Sequence, residues 1–183
     1  MPRIPYPDIS TLPDIMQQML AGTPLNVVRI GAHASPALFE AQGRLGYAIA
    51  DPSVLDPRLR EAVILRVAHL SNSAYELHHH LSIGRSIGLS EAEIAALGNR
   101  DYAALDPLLA AAARFTDEVV TRISPSDEAL EGLRAIASDQ IVVNVVLTIG
   151  CYMAIARLIA VTGIEIDEGA LGHLPSSPED SAA

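Results

Sequence analysis

No segment of this chain alternates apolar and polar residues for long enough to form a β-strand. Its apolar residues are mostly Ala, Leu, Ile and Val, Trp is absent, and aromatic residues make up only 4% of the chain. Such a mixture favours helices over sheets. A length of 183 residues corresponds to one domain, or to one domain with tails. The sequence therefore predicts an all-α fold.

Helix start and stop signals divide the chain into a series of helices. Prolines that follow Ser35, Asp56 and Asp106 are typical of a first helical turn. The patterns Ser73-x-x-Glu76 and Ser90-x-x-Glu93 fit capping boxes. Together with Gly and Pro residues at the ends, these signals predict helices over residues 14–20, 26–34, 36–50, 57–70, 73–88, 90–98, 107–123, 127–136 and 139–161.

Composition divides the chain into three parts. Residues 1–24 contain a Pro-rich arm and a short helix, and the arm is expected either to wrap a neighbouring subunit or to stay loose. Residues 25–172 form the predicted helical domain. Residues 173–183 are rich in Pro, Ser, Ala and acidic residues, which predicts a disordered tail.

Charge and hydropathy exclude some classes of partner. The net charge of −10 argues against nucleic acid, and a charged fraction of only 19% indicates self-association. The uncharged stretch 141–156 is shorter than the roughly 20 residues of a membrane span, so a buried core helix is predicted. The first residues lack the apolar stretch of a signal peptide, and Cys151 is the one cysteine. A cytoplasmic protein without disulfides is expected.

Residues 61–88 contain most of the side chains suited to acid–base chemistry. They include Glu61, His69, Glu76, His79 and His80. In a helix over the second half of this segment, Glu76 and His80 lie one turn apart on the same face, and His79 lies beside them.

This cluster has four interpretations. In the first, Glu76 caps its helix and pairs with His80, and the other histidines occupy a solvated or interface face. In the second, Glu76, His80 and a third His bind zinc or iron, although the HExxH pattern is absent. The third is a metal-free acid–base pair, in which a carboxylate holds the imidazole in one tautomer and burial raises the pKa of the carboxyl. In the fourth, Ser73 is a nucleophile and His80 its base, without a GxSxG turn.

The order of residues in this region resembles the carboxymuconolactone decarboxylase family, which includes the AhpD-type alkylhydroperoxidases. The resemblance rests on residues 57–61, on the pattern Ser73-x-x-Glu76-x-x-x-His80, on residues 88–94 and on the closing segment 139–168. The peroxidase branch has Glu, eleven residues, Cys-x-x-Cys, three residues and His. Glu61 and His80 match the Glu and His, whereas Ser73 and Glu76 stand where the two cysteines would be.

The missing thiols disfavour a peroxidase, because that chemistry needs a thiolate and a resolving thiol. The Glu-Leu-x-x-His pattern of residues 76–80 instead resembles the decarboxylase branch. The resemblance implies an AhpD-like helical fold, a homo-oligomer (a trimer or hexamer) and a small-molecule substrate.

The favoured function is enzymatic. It is a cofactor-free lyase (a decarboxylase) or isomerase that transfers protons on a small lactone or carboxylic acid. His80 would transfer the proton, Glu76 would orient His80 or share its proton, and Glu61 would be the second carboxylate of the site. Three further residues are candidates for substrate binding, namely Ser73, His69 and His79. No metal and no cofactor are expected. A substrate carboxylate would need a cation, for which the candidates are Arg44, Arg66, Arg85 and Arg157.

Two alternatives remain at this point. One is an AhpD-like peroxidase or antioxidant protein in which Ser73 and Glu76 replace the cysteines. The other is a non-catalytic oligomer that has kept the fold and binds a small ligand.

Overall fold

The computed structural model describes residues 1–175, and over these residues all regular secondary structure is helical, as predicted. Two short 3-10 turns lie at Ile9–Thr11 and Tyr102–Ala104. The α-helices, each of which coincides with a predicted one apart from a few residues at the ends, are α1 (Asp14–Gly22), α2 (Asn26–Gly31), α3 (Pro36–Ala50), α4 (Pro57–Leu70), α5 (Ala74–Ser86), α6 (Glu91–Asn99), α7 (Pro107–Arg122), α8 (Asp127–Arg134) and α9 (Asp139–Thr162).

The predicted helix starts are formed by side chains that bind the free N–H groups of the first turn. The carboxylates of Asp56 and Asp106 each accept two backbone N–H groups. Ser90 and Glu93 form a complete capping box. Ser35 is the exception, because its side chain makes no capping hydrogen bond and Pro36 alone marks the start of α3.

Helix α4 lies at the centre of the fold. Every residue from Leu59 to Ala68 is buried, because α5, α6, α7 and α9 pack around the helix. The sequence predicted this burial from apolar residues on most of the circumference of the helix. The same burial places three charged side chains of α4 inside the protein: Arg60, Glu61 and Arg66.

Helix α9 is the one helix among residues 1–175 that is long and apolar enough to cross a membrane by length and composition. Core helices of soluble proteins meet the same criterion, and the inner face of α9, with Val145 and Ile149, is buried against α4 and α7. This packing agrees with the predicted core helix. The outer face exposes Val143, Val146 and Leu147, and the self-association expected from the low charge content stays a prediction.

Both ends of the described chain pack against the helices. In the N-terminal arm, the Arg3 N–H donates to the carbonyl of Thr162 at 2.6 Å, and the Pro5 carbonyl lies 2.7 Å from His33 Nε2. After α9, residues 164–175 form a segment, here called the C-terminal strap, that runs back along α2 and α5. Of the predicted tail 173–183, residues 176–183 lie outside the described residues, and the predicted domain boundaries stay a prediction.

A buried ion-pair network joins α4 to α7. Nε and Nη2 of Arg66 donate to one carboxylate oxygen of Asp117 at 3.0 and 2.6 Å, and Nη1 donates to the carbonyl of Leu97. The other oxygen of Asp117 accepts from Arg100 and from the Tyr102 hydroxyl. Arg66 is therefore a structural residue, and its proposed role as a cation for a substrate carboxylate is wrong.

Replacing Asp117 with Ala is expected to lower the free energy of unfolding by about 3–5 kcal/mol, because Arg66 then stays buried without its partner. Urea unfolding of the two proteins measures the difference. Glu40→Ala, which breaks the exposed ion pair with Arg44, is the matched control and is expected to change stability by less than about 1 kcal/mol. Equal losses in the two variants would contradict the assigned role of Asp117.

Candidate active site

A cavity of about 210 Å³ lies between α5, α9, the first three helices and the C-terminal strap. This volume is below the roughly 300–1,000 Å³ of most small-molecule sites, so the cavity fits a small ligand. Four polar side chains enter it from α5, namely Tyr75, Glu76, His79 and His80. Much of the remaining wall is apolar and includes Met19, Leu25, Val27, Val28, Phe39, Ile155, Leu158, Leu171 and Leu174.

The imidazole of His80 is held by Glu61 of α4. Oε2 of Glu61 lies 2.7 Å from His80 Nδ1, and Oε1 accepts from Arg60 Nε at 3.1 Å. Because an ionised carboxylate only accepts hydrogen bonds, this contact assigns the proton to Nδ1 and leaves Nε2 as the free nitrogen of the neutral ring. The expectation that Glu76 orients His80 is therefore wrong, and Glu61 does so.

Glu76 lies in the first turn of α5, where the sequence predicts a capping box. The Glu76 N–H does donate to Ser73 Oγ, at 3.4 Å. However, the Ser73 N–H donates to the carbonyl of Ala68, so the carboxyl of Glu76 does not complete the box. Both carboxyl oxygens of Glu76 are buried without a hydrogen-bond partner. The predicted cap is half-formed, and it leaves an unpaired carboxyl on the wall of the cavity.

Burial determines the charge state of Glu76. Loss of solvent raises the pKa of its carboxyl from 4.5 to about 7, although the nearby His80 and the Ser73 hydroxyl act in the opposite direction. The carboxyl is thus largely protonated below neutral pH, where it donates a hydrogen bond, and ionised above it. Two carboxylates of one site therefore differ in environment, because Glu61 has two charge-assisted partners and Glu76 has none.

His79 joins α5 to the C-terminal strap. Its Nε2 lies 3.1 Å from Asp167 Oδ2, and its Nδ1 accepts the N–H of Leu171 at 3.2 Å. Asp167 also accepts from the Tyr75 hydroxyl and from the backbone N–H of Asn26. Burial lowers the pKa of His79, which favours the neutral ring that can accept from Leu171. His79 thus lines the cavity and fixes the strap, which also contributes to the cavity wall.

Other predicted site residues lie outside the cavity wall. The ring of His69 lies against Gly98 of α6, and Ser73 is a buried helix cap. Neither residue is part of the lining, so the structure does not bring them to a substrate.

The remaining predicted cations also lie elsewhere. Arg44 pairs with Glu40 and Arg85 with Glu91, while Arg157 donates to the carbonyl of Met153. Among residues 1–175, those that line the cavity include no Lys or Arg. The expected cation for a substrate carboxylate is therefore absent from this wall.

Sequence reasoning missed the residues that distant helices contribute. Gln42 and Tyr47 of α3 line the cavity, and Gln42 donates to the buried Sγ of Cys151 at 3.3 Å. The ring of Tyr152, from α9, lies edge-on to His80 with centroids 5.0 Å apart. No local motif marks these residues, because only the packing of α3 and α9 against α5 brings them to the site. Within residues 1–175, no group of three His, Cys, Asp or Glu side chains converges as a metal site.

Residues 36–118 match the model of the carboxymuconolactone decarboxylase family. The resemblance to this family predicted from the sequence is confirmed over these residues. The matched segment includes Glu61, Glu76 and His80 and ends within α7. No curated protein matches the chain.

Two solved structures share the fold of this chain. One is a protein of unknown function from Agrobacterium tumefaciens, linked by its description to the antioxidant defence protein AhpD. It is 26% identical, covers 74% of this chain and 94% of its own, and has a TM-score of 0.68. The other is an uncharacterised, peroxidase-related AhpD-core protein from Ralstonia eutropha JMP134, with 18% identity, coverage of 91% and 93%, and a TM-score of 0.77. The AhpD-like fold is thus confirmed. At 18% identity, the second structure is evidence for the fold and not for a function.

The substitution Glu76→Gln tests whether the carboxyl of Glu76 is buried without a partner. The test measures how the free energy of unfolding depends on pH. Between pH 4.5 and about 7 the folded protein keeps a proton that the unfolded chain has lost, so the wild-type free energy of unfolding falls as the pH rises. The fall is up to about 3 kcal/mol. Gln does not ionise. The free energy of unfolding of the variant, measured with urea, is therefore expected to rise relative to that of the wild type as the pH increases across this range.

The control for this measurement is Glu91→Gln. Glu91 is exposed, and its hydrogen bonds with Arg85 lower the pKa of its carboxyl, so its removal gives no gain at rising pH. Parallel pH profiles for wild type and Glu76→Gln would contradict the assignment.

Proposed function

We propose that this protein is a cofactor-free acid–base enzyme, a lyase or isomerase that moves a proton at a carbon atom of a small lactone or carboxylic acid. One observation carries the proposal. An unpaired, protonatable carboxyl, Glu76, and an imidazole held by a second carboxylate, His80, lie one turn apart on the wall of a small apolar cavity. Carboxyl groups with opposed environments are typical of acid–base pairs in enzymes.

In the isomerase reaction, neutral His80 is the base. Its free Nε2 takes a proton from the carbon next to the substrate carbonyl, the C–H electron pair forms a carbon–carbon double bond, and the carbonyl oxygen becomes an enolate oxygen. Protonated Glu76 donates a hydrogen bond to that oxygen as its charge develops. Where a carbon–carbon double bond of the substrate is conjugated with this enolate, the imidazolium, stabilised by Glu61, returns the proton to the far carbon of that double bond, and the double bond shifts by one position.

In the lyase reaction, the bond to the substrate carboxylate breaks instead. Its electron pair stays on carbon as an enolate, carbon dioxide leaves, and an imidazolium at His80 delivers the proton that forms the new C–H bond. Both reactions use the same residues. His80 starts as the neutral base in the isomerase reaction and as the imidazolium acid in the lyase reaction, while in both Glu61 fixes the ring and Glu76 donates to the oxygen.

The peroxidase alternative has less support. Serine and glutamate occupy the two positions where that branch has cysteines, and burial raises the pKa of the Cys151 thiol, which disfavours a thiolate. One of the two similar structures is linked to AhpD and the other is peroxidase-related. Neither relation says which reaction the present protein catalyses.

His80→Ala is expected to slow turnover by about 10²–10⁴-fold, since it removes the proton-transfer group. The assay incubates the protein with small lactones and β-keto acids in D₂O and follows deuterium at carbon by proton NMR. Glu61→Gln is expected to slow turnover as well, because it weakens the hold on the ring. His69→Ala removes an imidazole outside the cavity and is the matched control. Equal rates for wild type and His80→Ala would overturn the proposal, and a wild type inert on the whole panel would favour a non-catalytic binding protein.

A further inference from the structure

We infer that the cavity takes an uncharged, largely apolar carbonyl compound and discriminates against carboxylate anions. The inference rests on the proposed function and deepens it, because it chooses between the lactone and the carboxylic acid as substrate. It depends on three features of the described residues: the charges around the cavity, the position of one unpaired polar group, and the apolar wall.

The charges around the cavity disfavour an anion. No Lys or Arg lines the wall, whereas Glu76 lies on it and Asp167 of the strap is bonded to His79 behind it. Arg60, which precedes Glu61 on α4, uses its guanidinium on Glu61 and on the carbonyl of Ala50. A buried anion without a cationic partner is strongly unfavourable. The remaining basic groups on the wall are His79 and His80. Burial lowers the pKa of His79, which favours its neutral ring, and the role of His80 as a base requires it to be neutral.

The unpaired polar group fits a neutral oxygen. Glu76 is only 3% exposed, and its two carboxyl oxygens have no partner in the protein. A protonated carboxyl can donate to a carbonyl oxygen of the ligand, and this bond would satisfy a buried group that is otherwise orphaned. A ligand carboxylate would instead meet a second carboxyl group at this position.

The rest of the wall fits a hydrocarbon body. Aliphatic and aromatic side chains from α1, α2, α3 and α9 surround the space opposite Glu76, and Leu171, Leu174 and Pro175 of the strap cover it. The volume of about 210 Å³ suits a small ring or a short alkyl chain. An uncharged substrate of this kind favours isomerisation over decarboxylation, since the latter requires a carboxylate to lose.

The ionisation of Glu76 makes binding depend on pH. The groups that face its carboxyl are His80 and the Ser73 hydroxyl at the start of α5, together with Cys151 and Tyr152 of α9. Cys151 and Tyr152 both have raised pKa values and stay neutral through this range. Because the pKa of Glu76 is raised to about 7, its donor is present in acid solution and lost in mild alkali.

The test compares γ-octalactone with octanoate, which contain the same numbers of carbon and oxygen atoms but differ in charge. Calorimetric titration of the full chain at pH 6 is expected to show lactone binding about tenfold tighter than octanoate binding, the effect of one hydrogen bond and one unpaired charge. At pH 8.5 lactone binding is expected to weaken several-fold in the wild type. Glu76→Gln keeps a donor at both pH values and is expected to remove this pH dependence.

A second variant tests the charge argument independently. Gln42→Lys places a cation on the wall and is expected to increase the affinity for octanoate relative to the lactone. Octanoate binding as tight as lactone binding in the wild type at pH 6 would overturn the inference, and so would a lactone that does not bind up to its solubility limit. This test measures ligand binding, whereas the test of the proposed function measures the turnover lost in His80→Ala. Failure of the inference can therefore be distinguished from failure of the proposed function.

Discussion

The contact between Glu61 and His80 ties the central helix of the fold to the cavity. Glu61 is completely buried on α4, where an ionised carboxylate is tolerable only with partners that replace water, and Arg60 and His80 supply them. The same contact fixes the position of α5 against α4, and it decides which nitrogen of the imidazole is free. Since α5 carries Glu76 and His80 and two further polar groups of the cavity wall, the placement of the proposed acid–base pair depends on this buried hydrogen bond.

The contact also explains why Glu76 is unpaired. His80 lies one turn from Glu76 and would be its natural partner in an isolated helix, but Glu61 occupies Nδ1. The first turn of α5 offers no substitute, because the Ser73 N–H is bonded to Ala68. The protein therefore keeps one carboxyl bonded to two partners and another desolvated and without a partner within a single site. The C-terminal strap, held by Asp167 through Tyr75 and His79, adds Leu171, Leu174 and Pro175 to the wall of the cavity.

The features that the sequence predicted correctly are those that depend on residues close together in the chain. The helices follow from local caps and from Pro and Gly at their ends, and Glu61 and His80 were found through a resemblance that the family match confirms. The capping box of Ser73 and Glu76 is only half-formed, because such a pattern states which residues can bond and not which bonds form. Arg66 is bonded to Asp117 of α7, and His69 packs against α6. Both contacts join residues that are far apart in the sequence. Gln42 and Tyr152 reach the site only through tertiary packing, which no local pattern encodes.

The central claim is that the carboxyl of Glu76 is buried, unpaired and protonated up to neutral pH. The most direct measurement is a ¹³C NMR titration of the side-chain carboxyl carbons, with Glu76→Gln assigning the resonance. The account predicts a midpoint at about pH 7 for Glu76. A midpoint near the ordinary value of 4.5 would show that the carboxyl is solvated or bonded, and it would contradict both the acid role of Glu76 and the preference for an uncharged ligand.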